Sequence, residues 1–125
     1  MMQQYVILHH DHPEVHWDLM LEEEGVLKTW RLPAPPEIDP ASDETSMNLT
    51  AESLPDHRLV YLEYEGPVSG ERGTVARWDK GSFTLLEKKA GLYVALLTGE
   101  ELAGRVTLQQ TDQESIWDLN YTPFF

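Results

Sequence analysis

Apolar and polar residues alternate in many short stretches of this chain, and such a period of two is typical of β-strands. Turn-forming glycine, proline and aspartate residues separate the stretches. The predicted strands cover residues 5–8, 15–22, 26–32, 59–65, 74–78, 82–87, 92–97, 104–109 and 115–121. No stretch has the apolar spacing of a long amphipathic helix. The pattern therefore predicts an all-β fold, a small closed or partly open β-barrel of about eight strands.

Residues 33–56 interrupt the alternation. They are rich in Pro, Ser, Thr, Asp and Glu and contain few large apolar side chains. We expect one long proline-rich surface loop here, with a short helical turn near residues 50–53. Because 125 residues is the size of one ordinary domain, residues 1–125 are expected to form a single domain.

The second predicted strand carries the first sign of chemistry. Its apolar side consists of Val15, Trp17, Leu19 and Leu21. His16 and Asp18 are two residues apart and leave the opposite side, where Met20 is the apolar exception. If residues 11–14 form a hairpin turn, His10 reaches that same side. Two imidazoles and a carboxylate that converge suit a divalent ion such as Mn²⁺ or Zn²⁺.

The same residues have a plainer interpretation. Four of the five histidines lie within residues 9–16, and clustered histidines can simply decorate an acidic surface. An ordinary half-solvated strand also places polar residues on one face and apolar residues on the other. The period of two therefore fixes the orientation of His16 and Asp18 but leaves both interpretations open.

Composition narrows the possible chemistry. The chain has no cysteine, so a metal site must use histidine and carboxylate ligands. Nine Lys and Arg against 22 Asp and Glu give a net charge of −13, which argues against a broad electrostatic grip on nucleic acid but not against a local basic pocket. No apolar run is long enough to span a membrane and no signal-peptide pattern is present. We expect a cytoplasmic monomer with no membrane contact.

Several motifs together resemble the 3′-phosphoesterase domain of bacterial DNA ligase D. The opening motifs are His10-Asp11, His16-Trp17-Asp18, Leu21-Glu22, Gly25-Val26-Leu27-Lys28-Thr29-Trp30 and Leu32-Pro33. The later ones are Asp56-His57, Leu59, Tyr61, Glu65-Gly66, Gly73-Thr74-Val75, Trp78-Asp79, Gly81, Leu102 and Gly104-Arg105. The resemblance extends over about the full chain.

The resemblance implies a small β-barrel that removes a 3′-terminal ribonucleotide, and then the 3′-phosphate, from a DNA end in a Mn²⁺-dependent reaction. His10, His16 and Asp18 would be the metal ligands, with Mn²⁺ as the expected ion and Zn²⁺ or another transition metal as alternatives. His57 would lie near the scissile phosphate, and the Tyr61 hydroxyl would contact it or the metal-bound water. The substrate would be a DNA 3′ end or a small phosphoester, and a repair ligase or polymerase would be a partner.

The sequence departs from the family pattern where the family grips phosphate. The family has an arginine at the position of Met20 and a lysine at the position of Ala34. A second arginine corresponds approximately to Leu49, and a glutamate corresponds to Pro55. Losing arginine donors weakens phosphate binding because their planar, bidentate fork is hard to replace. Three arginines could compensate, or could simply be exposed surface residues: Arg31, Arg58 and Arg72.

Three hypotheses follow. The leading one is a stand-alone metal-dependent phosphoesterase, with room for divergence in activity. The alternative is a non-catalytic metal-binding or interaction module on the same fold. The third is an enzyme of another class, because two histidines and one carboxylate also form the iron site of non-haem oxygenases.

Overall fold

The computed structural model describes residues 2–124, and antiparallel strands make up most of that range. The strands are β1 Gln3–His10, β2 His16–Glu23, β3 Val26–Leu32, β4 Met47–His57, β5 Gly66–Pro67, β6 Thr74–Lys89, β7 Leu92–Gly99, β8 Ala103–Gln110 and β9 Ile116–Pro123. A single turn of 3₁₀ helix spans Leu59–Leu62. Within residues 2–124 no helix is long and apolar enough to cross a membrane.

Eight of these strands form a closed barrel. The sheet order is β1-β2-β3-β4-β9-β8-β7-β6, and pairing between β1 and β6 closes the ring. The short β5 pairs with the start of β6 and lies outside the ring. Closure removes the unpaired edges that an open sheet would expose. The predicted all-β barrel is therefore confirmed.

The barrel interior is filled by the apolar side of each strand. In β2, Leu19 and Leu21 are buried there and Trp17 packs against them, as the alternation predicted. Trp30 and Trp117 meet edge to face inside the barrel, with ring centroids 5.6 Å apart. Such pairs add to the stabilisation from buried apolar area.

A second apolar cluster lies on the outer side of β1, β2 and β3. Its buried members are Val6, Leu8, Met20, Leu27, Leu62 and Val75. The segment between β4 and β6, which contains the 3₁₀ helix, folds over this outer face and contributes Leu62, Tyr61 and Tyr64. The face that carries His16 and Asp18 is thus largely covered by protein.

The interpretation of residues 33–56 as one long loop is wrong in its second half. Residues 47–57 form β4, and the predicted helical turn near residues 50–53 is part of this strand. Met47, Leu49 and Ala51 alternate toward the barrel core. β4 pairs with β9 along its first half and with β3 along its second half. The proline-rich loop is limited to residues 33–46.

Two further elements differ from the sequence prediction. Residues 59–65 were predicted as a strand, but residues 59–62 form the 3₁₀ helix that covers the outer cluster. The predicted strands 74–78 and 82–87 are one continuous strand, β6. Its pairing with β1 shifts register between Ile7 and Leu8, so the strand bends without breaking.

The Trp78-Asp79-Gly81 motif has a structural role in the barrel. The Asp79 carboxylate is buried and accepts hydrogen bonds from the Tyr5 hydroxyl and from the backbone N–H of Glu101 at 2.8 Å. Burial, together with the Asp79 bond, raises the pKa of the Tyr5 hydroxyl above its ordinary value. A Cβ on Gly81 would lie 2.0 Å from the Thr98 carbonyl oxygen. The motif therefore holds β1, β6 and the β7–β8 turn together.

Candidate metal centre

The hairpin of β1 and β2 brings three candidate metal ligands together. β1 ends at His10 and β2 begins at His16, and these two residues are directly paired. Asp18 follows on the same face of β2. His10 Nδ1 lies 3.8 Å from Asp18 Oδ2, and His16 Nε2 lies 3.3 Å from the same oxygen. One donor atom from each residue lies within 4.8 Å of the others.

Backbone carbonyls orient both imidazole rings. His16 Nδ1 is 2.8 Å from the Glu14 carbonyl oxygen, and His10 Nε2 is 2.7 Å from the Arg72 carbonyl oxygen. A carbonyl oxygen only accepts, so each of these nitrogens carries the proton. In the neutral rings, His16 Nε2 and His10 Nδ1 are then left as lone-pair donors beside Asp18. Metal-bound histidines in proteins are commonly held in this way.

Burial of these groups fits a bound cation. The side chains of His16 and Asp18 are 5% and 4% exposed. Within residues 2–124, His16 Nε2 and Asp18 Oδ1 have no hydrogen-bond partner, although buried polar atoms rarely lack one. A divalent ion would satisfy both atoms. Two nitrogens and a carboxylate are a donor set that Mn²⁺, Fe²⁺ or Zn²⁺ accepts, with positions left for water or substrate.

Asp11 and Gly73 link the hairpin to the segment that carries Arg72. Asp11 Oδ1 accepts a 2.7 Å hydrogen bond from the backbone N–H of Thr74, and this bond lowers the pKa of the Asp11 carboxyl below its usual value. Gly73 has φ +76°, and a Cβ there would lie 2.2 Å from Asp11 Oδ1. Both residues are motif positions in the sequence, but their mutual contact is visible only in three dimensions.

An open cleft of about 470 Å³ lies in front of the histidine and aspartate cluster. His10 and Asp18 line one part of it, and His57 and Tyr61 line another. His57 Nδ1 lies 2.9 Å from the Pro55 carbonyl oxygen, which leaves Nε2 as the free ring nitrogen. The His57 and Tyr61 rings meet edge to face with centroids 5.8 Å apart. All five residues singled out from the sequence are therefore brought to one region.

The cleft is locally basic although the chain is acidic. Arg31, Arg58 and Arg72 all line it. Besides Asp18, Asp56 contributes a carboxylate to the lining, and this carboxylate is 3.3 Å from Lys28 Nζ. Three arginines around a cluster that can hold a cation suit an anionic ligand.

The residues that depart from the family pattern lie in different environments in the structure. Met20 is 1% exposed and belongs to the outer apolar cluster. Leu49 packs against the barrel core. Pro55 lines the cleft without a side-chain donor, and Ala34 is half-buried in the loop after β3.

A second groove of about 540 Å³ adjoins the cleft. Arg31 and Pro13 line both cavities, and His16 is on the wall of the groove. The rest of its lining is mostly apolar and includes Val15 and Ile116, but Glu14 and Glu52 also line it. A ligand that extends from the cleft into the groove would pass Arg31.

Comparison with known proteins is consistent with this site. A family model described as the DNA Ligase D 3'-phosphoesterase domain matches residues 8–110. "Multifunctional non-homologous end joining protein LigD" from Pseudomonas aeruginosa is 35% identical over 127 aligned positions, covering 92% of this chain and 14% of the relative. The protein of the same description from Mycobacterium bovis is 33% identical over 115 positions, covering 86% of this chain and 14% of the relative. The chain thus corresponds to a small part of the length of these relatives.

Proposed function

Because this chain belongs to the DNA ligase D 3′-phosphoesterase domain family, we propose that it is a metal-dependent phosphoesterase that removes a 3′-phosphate or a 3′-terminal ribonucleotide from DNA ends. The observation that carries the proposal is the cluster of His10, His16 and Asp18. Two of its members, His10 and Asp18, line the same cleft as His57 and Tyr61. We propose Mn²⁺ as the ion, held by the two ring nitrogens and the Asp18 carboxylate. A cation bound there would withdraw charge from the phosphoryl oxygens.

The chain's own side chains account for the remaining chemistry. In hydrolysis a water oxygen bonds to phosphorus, the bond from phosphorus to the leaving oxygen breaks, and that oxygen must gain a proton. His57 Nδ1 donates to the Pro55 carbonyl oxygen, so Nε2 can accept the proton that the attacking water loses. The imidazolium that forms can then give a proton to the leaving oxygen. The Tyr61 hydroxyl can donate a hydrogen bond to a phosphoryl oxygen.

The charge distribution favours a small target. With a net charge of −13, the protein has few cations available to neutralise a long phosphate backbone. The arginines of the cleft can engage only the phosphates that enter it. We therefore propose a DNA end or a small phosphoester as substrate, with a repair ligase or polymerase acting on the processed end.

The proposal is tested by incubating the protein with Mn²⁺ and a labelled primer-template that ends in a 3′-phosphate or a single 3′-ribonucleotide. The wild type is expected to release the terminal group. His16→Ala is expected to lose Mn²⁺ binding and cleavage together, whereas His57→Ala should keep Mn²⁺ binding and lose at least about 100-fold in rate. Full cleavage by His57→Ala would remove that residue from the reaction.

A non-catalytic metal-binding module remains the second candidate, and Met20 is the observation that favours it. Its apolar side chain occupies the position where the family has a phosphate-binding arginine, and it lies buried in the outer cluster. If the wild type binds Mn²⁺ tightly but cleaves neither substrate, the module is the correct description.

A further inference from the structure

Arg31 lies beside the candidate metal ligands on the neighbouring strand. It is directly opposite Asp18 in the antiparallel pairing of β2 and β3. Directly opposed residues place their side chains on the same face, with Cβ atoms about 5 Å apart. Because Trp30 and Leu32 fill the barrel core, Arg31 points to the outer side, where the cleft lies.

The Arg31 guanidinium group is poorly satisfied by the protein. Its Nε is buried and has no hydrogen-bond partner in the part of the chain that the structure describes. The nearest acidic partner is Glu52, with 3.8 Å between Arg31 Nη1 and Glu52 Oε1, which is too long for a hydrogen bond. Both side chains are partly exposed, at 37% and 45%, so this ion pair is weak. Because the side chain is 37% exposed, its terminal Nη donors remain available to a ligand.

The other basic residues of the cleft are less suited to this role. The Arg72 guanidinium donates to the Ser69 carbonyl oxygen at 2.7 Å and to the Ser69 hydroxyl at 3.2 Å, so it stabilises its own turn. Arg58 is exposed at the start of the 3₁₀ helix. Met20, on the strand that carries Asp18, is buried and has no donor.

We propose that Arg31 is the residue that binds the phosphoryl group of the substrate in this cleft. The inference rests on the proposed function for the identity of the anion. The planar fork of arginine can form two parallel hydrogen bonds to phosphate oxygens. An arginine on β3 opposite Asp18 thus supplies the donor that β2 lacks. Arg31 also lines both the cleft and the adjoining groove. If the phosphate of a phosphoester lies in the cleft and its organic part in the groove, Arg31 lies where the two parts join.

The test measures phosphate binding separately from turnover. Inorganic phosphate is titrated calorimetrically into the protein in the presence of Mn²⁺, and Mn²⁺ affinity is measured in parallel. Arg31→Ala is expected to weaken phosphate binding by about 10- to 100-fold, the usual effect of losing a charged hydrogen bond. Arg31→Lys should fall between the wild type and Arg31→Ala, because lysine keeps the charge and lacks the fork.

Two further variants serve as controls. Arg105→Ala removes the same charge from the exposed surface of β8 and is expected to leave phosphate affinity within about twofold of the wild type, as expected for a screened surface charge. Glu52→Gln removes the competing carboxylate and is expected to tighten phosphate binding by about 2- to 5-fold.

The inference is overturned if the wild type fails to bind phosphate or if Arg31→Ala binds it as tightly as the wild type. It is also overturned if Arg31→Ala loses Mn²⁺ affinity in parallel, since Arg31 would then support the fold of the site. The cleavage assay is read independently. Arg31-dependent phosphate binding without cleavage would refute the proposed function and support this inference. Cleavage that Arg31→Ala leaves unchanged would support the proposed function and overturn this inference.

Discussion

At the level of single residues, backbone carbonyls select which ring nitrogen of each histidine carries the proton. His10, His16 and His57 each place one ring nitrogen against a carbonyl oxygen, at 2.7, 2.8 and 2.9 Å. Each ring therefore offers its other nitrogen to the cluster or the cleft. Holding a ring in one tautomer avoids a reorganisation cost when a ligand binds.

Met20 is also explained at this scale, because it stabilises the outer cluster. Met20→Arg is expected to lower the free energy of unfolding by about 3 kcal/mol or more, since it would bury a charge among apolar side chains. Met20→Leu, which conserves volume, should cost less than about 1.5 kcal/mol. Urea unfolding measures both. An Arg variant as stable as the Leu variant would mean that the position can accept a functional arginine without further changes.

At the scale of elements, residues 58–73 form a wall over the outer face of β1 and β2. This wall supplies Tyr61 to the cleft and the Arg72 carbonyl that orients His10. Its C-terminal end is fixed by the contact of Asp11 with Thr74 and by the close approach of Gly73. The metal cluster therefore depends on a segment that contributes none of its three candidate ligands.

The Asp11 contact can be tested by its effect on metal affinity. Asp11→Ala is expected to weaken Mn²⁺ binding by about 10-fold, as commonly found when a group that orients a metal ligand is lost. Asp11→Asn should stay close to the wild type, because its amide oxygen can accept the same bond from the Thr74 N–H. Both are compared by Mn²⁺ titration. Equal weakening in the two variants would show that charge, and not the hydrogen bond, is what matters.

Gly73 gives a second test of the same link. Gly73→Ala is expected to weaken Mn²⁺ binding and to destabilise the fold, since its Cβ would overlap Asp11 Oδ1 and the backbone has φ +76°. Gly70→Ala is the matched control, because Gly70 has the same φ of +76° but a Cβ added there would meet its nearest neighbour, Arg72 Nε, at 3.6 Å. Gly70→Ala should carry the same conformational strain of alanine at positive φ and keep the Mn²⁺ affinity of the wild type. If both variants bind Mn²⁺ equally, the overlap with Asp11 is unimportant.

At the scale of the whole molecule, barrel closure and metal binding should be coupled. β1 carries His10 and forms the closing pair with β6, so an ion that binds the folded site stabilises the closed barrel. At free Mn²⁺ 100 times above Kd, the gain is about 2.7 kcal/mol, which corresponds to a rise in Tm of roughly 8–15 °C for a domain of this size.

A thermal scan with and without Mn²⁺ checks this coupling. His16→Ala is expected to abolish the rise in Tm. Mg²⁺ should give a much smaller rise than Mn²⁺, because it prefers oxygen ligands over imidazole. An equal response to both ions in the wild type would point to general charge screening of the acidic protein and away from a specific site.

The alternation of residues predicted most of the barrel because strand orientation is a local property. Apolar side chains two positions apart lie on the same face of a strand. On this basis β3 was predicted with its observed bounds, residues 26–32. β4 was missed because its alternating Met47, Leu49 and Ala51 follow a proline-rich segment. The strand at residues 59–65 was wrong because covering an outer apolar cluster decided the conformation there.

The fold class, the family and the residues that could serve as ligands can be inferred from the chain alone, since they follow from hydrophobic period, motif and residue type. Which of these groups meet depends on the three-dimensional fold. The carbonyl of Arg72 reaches His10 across 62 positions of sequence, and Arg31 faces Asp18 because β2 and β3 pair in one register. Such contacts depend on long-range pairing and on the wall of residues 58–73, which no local pattern encodes.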